Sequence, residues 1–243
     1  MDRKIITYKG KMYKVVEVLS DIDALIEKHK NWSNFKYCLK KVKRDPDNFR
    51  FVHNQTPELC LEAILRDGCL LQNVHNQTPE LCLEAVKQSG WALEYVREQT
   101  NEICMEAVRE DSNALQFVHE QTPEICMEAV SKNDCSILGY VHEQTPEICL
   151  RAVKTDGTAL RYVQKQTPEI CMEAVKTEGY ALRYVIEQTP EICMEAIKND
   201  SNTFIFVREQ TPEMCKIIFE QNKYFKQSIK DFDVLKQLIN SEL

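Results

Sequence analysis

The sequence predicts an all-α fold, an α-solenoid of about nine two-helix repeats of 22 residues each, and three observations predict it. A tetrapeptide recurs at a near-constant interval, a cysteine keeps fixed register with it, and each interval carries apolar residues at helical spacing. Gln-Thr-Pro-Glu stands at Gln55, Gln77, Gln121, Gln144, Gln166, Gln188 and Gln210, with Gln-Thr-Asn-Glu at Gln99. The intervals are 22 residues except for one of 23, between Gln121 and Gln144. Five residues after each Gln comes Cys60, Cys82, Cys104, Cys126, Cys149, Cys171, Cys193 or Cys215, and one further step back reaches Cys38, a leading copy without the proline.

The copy that starts at Gln166 justifies the two elements. Thr167 suits an N-cap, because its hydroxyl can accept from an unpaired amide of the first turn, and Pro168 suits the first helical position, where no donor is needed. Glu169 places negative charge at the positive helix end. Ile170, Cys171, Ala174 and Val175 then form one apolar stripe, and Gly179 is expected to end the helix. Ala181, Leu182 and Val185, with Tyr184 alongside, begin a second short helix. Helices this short are marginal alone, so each pair must bury its stripe against the next in a one-dimensional stack. At roughly 8 to 10 Å per packed helix, nine units would extend on the order of 80 Å.

Both ends are expected to close the stack. Residues 1–32 read as a cap, with a β-hairpin around Lys9-Gly10 and a helix through Lys28. Residues 33–220 are the repeats, and residues 221–243 read as a C-terminal helical cap with Phe232, Leu235, Leu238 and Ile239 at helical spacing.

Charge narrows the partner. The 243 residues carry a net −7, distributed as +7 over residues 1–44, −15 over 45–215 and +1 over 216–243. An acidic block of this size disfavours nucleic acid and anionic membrane and favours a protein or peptide partner, a basic one in particular. No apolar run reaches membrane-spanning length, and the first residues lack the apolar stretch of a signal peptide, so a cytoplasmic setting is expected. Of eleven cysteines none falls in a Cys-x-x-Cys pair, and the nine in register, one per copy, read as small buried hydrophobes in a reducing compartment. Successive copies would hold them too far apart for a disulfide or a shared zinc ion. Cys69 and Cys135, off the register, are expected to be the more reactive thiols.

Four of the five histidines occupy the position after the valine that closes each copy: His53, His75, His119 and His142. Arg97, Gln164, Ile186 and Arg208 fill it elsewhere. The slot reads either as a contact surface or as a solvated face. The recurrent Gln suits a ladder of amide bonds to the adjacent turn, with peptide capture as its functional alternative. Among the positions that vary, Trp91 and Tyr180 stand where other copies have mostly polar residues, and they are candidate partner anchors, with packing onto the next turn as the other reading. No phosphate loop, metal-binding histidine pair or nucleophile elbow occurs, and the repeated Glu belongs to the helix start; neither catalysis nor a cofactor is expected.

Gln-Thr-Pro-Glu-Ile-Cys-(Leu/Met)-Glu-Ala-Val followed by Ala-Leu-x-(Tyr/Phe)-Val resembles a repeat family of unknown function, abundant in giant viruses of amoebae and present in some amoeba-associated bacteria. The resemblance covers roughly residues 34–219. It implies such an origin and a host-directed role, and it brings no catalytic residues. The expected function is a non-catalytic binding scaffold, with a self-assembling virion or inclusion component as one alternative. The other is a nucleic-acid binder that uses the basic ends, including Lys40, Lys41 and Lys43.

Overall fold

The computed structural model describes residues 5–8, 11–14, 31–132 and 134–221. The helix expected through Lys28 and the C-terminal helical segment lie outside the described residues, as do Lys9 and Gly10. Ile5–Tyr8 and Lys11–Lys14 pair antiparallel, with Ile5 opposite Lys14 and Tyr8 opposite Lys11. All other described elements are helical, and they alternate strictly between an α-helix and a six-residue 3₁₀ helix.

The α-helices begin where the sequence places them. Thr56, Thr78, Thr122, Thr145, Thr167 and Thr189 cap helices Pro57–Ile64, Pro79–Gln88, Pro123–Ala129, Pro146–Thr155, Pro168–Thr177 and Pro190–Asn199. Each accepts from the amide three residues on. The leading copy, Phe35–Arg44, uses Asn34 for the same task and buries Cys38 and Val42. The 23-residue interval falls on Pro123–Ala129, which is three residues shorter than its neighbour Pro146–Thr155.

The second element of each copy is a 3₁₀ helix because it is brief and tightly bounded. In Gly179–Tyr184 the amides of Ala181 and Val185 donate to Glu178 and Leu182, three residues back. Three residues per turn bring Gly179, Leu182 and Val185 onto one buried side. Extended valine backbone then leads into the next turn.

Gly179 does not end the preceding helix as a left-handed cap. Glu178 ends it with extended backbone (φ −150°, ψ 107°), and Gly179 opens the 3₁₀ helix. The glycine answers to packing instead: a Cβ there would lie 2.7 Å from the Ala196 carbonyl oxygen of the next copy, and one at Gly157 would lie 2.5 Å from that of Ala174. Close approach between copies, rather than backbone conformation, requires the small residue.

The chain divides into two compact units, Met1–Glu110 and Asp111–Leu243. In the first, Pro57–Ile64, Pro79–Gln88 and Asn101–Glu110 pack in sequence as one layer, while Pro46–Phe51, Gly68–Asn73 and Gly90–Tyr95 form a second. In the second unit the α-layer runs from Pro123–Ala129 to Pro190–Asn199, and the 3₁₀ layer from Ser112–Phe117 to Ser201–Phe206. The core between layers consists of the predicted stripes: Ile170, Cys171, Ala174 and Val175 from the helix, Ala181, Leu182 and Val185 from the 3₁₀ segment, all buried.

Candidate functional site

The turn that carries Val-x-x-Gln-Thr-Pro forms a repeated edge, and its geometry is set by the glutamine. Gln166 donates through Nε2 to the carbonyl oxygens of Leu160 in its own copy (3.4 Å) and Tyr184 in the next (2.9 Å). Its Oε1 accepts from the backbone amide of Ile186 at 2.9 Å and from the Cys171 thiol at 3.5 Å. Gln77, Gln121, Gln144 and Gln188 repeat all four bonds. The amide ladder is therefore structural, tying each turn to the one that follows, and its side chains are occupied rather than presented for peptide capture.

The in-register cysteines stand beneath this ladder, buried and unbridged. Burial pushes their thiols up, those of Cys104 and Cys193 to about 11. Thiolates are the reactive form, so these positions are inert. Cys69 is half-buried, as its off-register position suggests, but burial raises its thiol as well, against the expectation of enhanced reactivity. Cys135 is half-buried too.

Along the edge, the slot after the closing valine is exposed in every copy that carries a predicted site residue: His53, His75, Arg97, His119, His142 and Arg208. The two arginines have structural partners that sequence reasoning missed. Arg97 reaches back one copy to donate to the carbonyls of His75 (2.7 Å) and Val74 (3.1 Å), and Arg208 does the same to Ile186 (2.6 Å) and Val185 (3.0 Å). Each planar guanidinium thus clasps the preceding turn. The sequence signal was an arginine in this slot in two copies, 22 residues beyond the residue it holds.

Clefts open between successive turns. One of about 900 Å³ lies between the turns of His53 and His75, and the next copy's, about 280 Å³, includes His75 and Arg97. Clefts of about 180, 320 and 230 Å³ follow at His142, at His142 with Gln164, and at Ile186. Each has at least one glutamate in its wall: Glu58, Glu80 and Glu84 in the first, then Glu98, Glu143 and Glu187. The Glu58 and Glu80 carboxyls are held below their ordinary range by their own backbone amides and by the capping threonine hydroxyls, so they carry full charge at neutral pH.

Trp91 and Tyr180 belong to a different face. They sit on the 3₁₀ layer, 44% and 40% exposed, and do not line these clefts. Asp45, Asp67, Asp111, Asp134, Asp156 and Asp200 cap their 3₁₀ helices by accepting from the amide two residues on, whereas Ser89 and Glu178 make no such bond. Trp91 and Tyr180 occur in those two copies. Tyr180 packs edge-on against Phe206 of the next copy, with ring centroids 4.9 Å apart. Arg183 lies over Tyr180, Tyr184 and Phe206 at 5.2, 5.1 and 5.7 Å, and Arg161 over Tyr162 at 4.8 Å. Packing onto the next turn thus accounts for much of the Tyr180 ring.

No group of three or more His, Cys, Asp or Glu side chains among the described residues is placed to hold a metal ion. No helix among the described residues is long and apolar enough to cross a membrane. Fold and edge together define a helical repeat protein in which, within each unit, a glutamine ladder ties turns to those that follow. The chain belongs to the family described as Domain of unknown function (DUF4116), whose model matches residues 56–101, 78–122, 100–144, 122–167, 145–188 and 167–211. Each match spans two copies, the smallest piece that contains a complete inter-turn ladder step. No curated protein and no solved structure matches the chain.

Proposed function

We propose that this chain is a non-catalytic α-solenoid scaffold that binds a protein or peptide along its turn edge. The single observation that carries this reading is the series of clefts between successive turns, each walled by glutamate and by the variable slot after the closing valine. Packing dictates the ladder and the stripes, whereas the slot varies among His, Arg, Gln and Ile. The −15 balance of residues 45–215 steers a basic partner toward it. The setting is the reducing cytoplasm of an amoebal host, where unpaired thiols persist.

Affinity capture from amoebal lysate tests the reading with three baits: wild type, a variant with His53, His75, His119 and His142 changed to Ser, and Trp91→Ala with Tyr180→Ala. A protein retained by the wild type and lost by the histidine variant supports the turn edge. Loss by the aromatic variant instead moves binding to the 3₁₀ face. Capture of nothing, together with self-association in sedimentation, replaces the scaffold by a structural component.

A further inference from the structure

The clefts of the turn edge are not equivalent. The one between helices Pro57–Ile64 and Pro79–Gln88 has about 900 Å³, against about 180 to 320 Å³ for the four others described along the edge. Its lining is set apart by two apolar side chains. The third helical residue is Leu81 on one wall, half-buried, where Ile103, Ile125, Ile148, Ile170 and Ile192 of later copies are buried. Leu61, 41% exposed, contributes a second apolar surface to the same cleft. The two turns that flank it share one sequence, Val-His-Asn-Gln-Thr-Pro-Glu-Leu-Cys-Leu-Glu-Ala, so each wall presents the same groups one repeat apart.

The charges in the cleft have one sign. Glu58, Glu80 and Glu84 line it, no Lys or Arg does, and none of the three forms an ion pair among the described residues. We infer that this cleft binds a basic peptide segment that alternates leucine-like and arginine- or lysine-like side chains. The apolar groups would seat against Leu61 and Leu81, and the cations would meet Glu58, Glu80 and Glu84. Charge complementarity selects the sign of the occupant, and the two leucines require that it be more than a polycation. This inference rests on the turn-edge reading and narrows it to one cleft and one ligand chemistry.

The test uses the full chain and two fluorescein-labelled peptides of equal charge, Gly-Leu-Arg-Leu-Lys-Leu-Arg-Gly and the same sequence with serine for leucine, titrated by fluorescence anisotropy. The leucine peptide is expected to bind about tenfold tighter than the serine one, as burial of apolar side chains implies. Leu61→Asn should remove that difference, and Glu80→Gln with Glu84→Gln should weaken both peptides about tenfold. Glu169→Gln with Glu173→Gln, the matching change in the second unit, should leave both within about twofold. Leu61 is substantially exposed, so its replacement spares the core; hydrogen exchange on the wild type provides a readout without any variant, with protection expected at residues 53–62 and 75–84.

Equal affinity for the two peptides, equal loss in both glutamate pairs, or protection elsewhere would overturn the cleft assignment. Dimers in sedimentation that the leucine peptide fails to dissociate would also overturn it, because a second copy would then be the occupant. These results leave the turn-edge scaffold standing if lysate capture still depends on the histidine slot; the scaffold itself falls only when that dependence is absent.

Discussion

At the scale of single residues, the cysteine and glutamine of six copies, from Cys82 with Gln77 to Cys193 with Gln188, work as a pair. A buried thiol is a small apolar filler with one weak donor, and here that donor points at Gln Oε1, as from Cys171 to Gln166 and from Cys193 to Gln188. Burial of the thiols fixes a pH dependence. An unfolded cysteine ionises near its ordinary value of 9.0, whereas folded Cys104 and Cys193 hold their protons to about 11. Above pH 9 the unfolded chain therefore gains stability by ionising while the folded chain does not. Stability is fully present below pH 9 and is lost as the pH rises toward 11. Urea midpoints measured across this range should fall progressively, and replacing Cys104 and Cys193 with Ala should flatten the fall; an unchanged profile in that variant would remove the thiols as its cause. The glutamine ladder was legible in the sequence because an amide held in register, outside both apolar stripes, needs a backbone partner one copy away. The double clasp of Arg97 and Arg208 was not legible, because it depends on how far the preceding turn lies from the guanidinium once stacked.

At the scale of elements, helix starts followed from Thr-Pro-Glu directly, since capping is local chemistry. The 3₁₀ form of the second element and the role of its first residue were not visible, because both answer to the neighbouring copy. Gly157 and Gly179 face the carbonyls of Ala174 and Ala196, where a methyl group has no room. Ser112 and Ser201 occupy the same slot in other copies. Gly139 differs: a Cβ there would meet the ring of Tyr162 at 3.2 Å, a side chain that can yield. Gly157→Ala should thus cost about 1 to 3 kcal/mol, the usual range for overpacking, and Gly139→Ala well under about 1 kcal/mol. Chemical denaturation of the two variants separates close packing from generic loss of a glycine; equal costs would show that the Ala174 carbonyl does not constrain the slot.

At the scale of the whole molecule, the 22-residue interval was legible because a stack repeats its own instructions. The clefts were not, because their volumes depend on how adjacent helices cover each other, as half-buried Leu81 shows. If stability is a sum of unit and nearest-neighbour terms, length should be adjustable in whole periods and in no other step. Removing residues 145–166 joins Gln144 to Thr167 and restores Gln-Thr-Pro-Glu, with the ladder of the preceding copy now meeting the turn of the following one. That deletion should leave a helical chain that melts cooperatively, within about 5 °C of the parent. Removing only residues 145–155 takes out helix Pro146–Thr155 and leaves Gly157–Tyr162 with no α-layer beneath it, so helicity should fall by more than the deleted residues account for. Circular dichroism and thermal melts of the two deletions decide the matter. Comparable collapse in both would mean that copies in this unit are not interchangeable, and that the near-identity of their sequences conceals packing specific to each position.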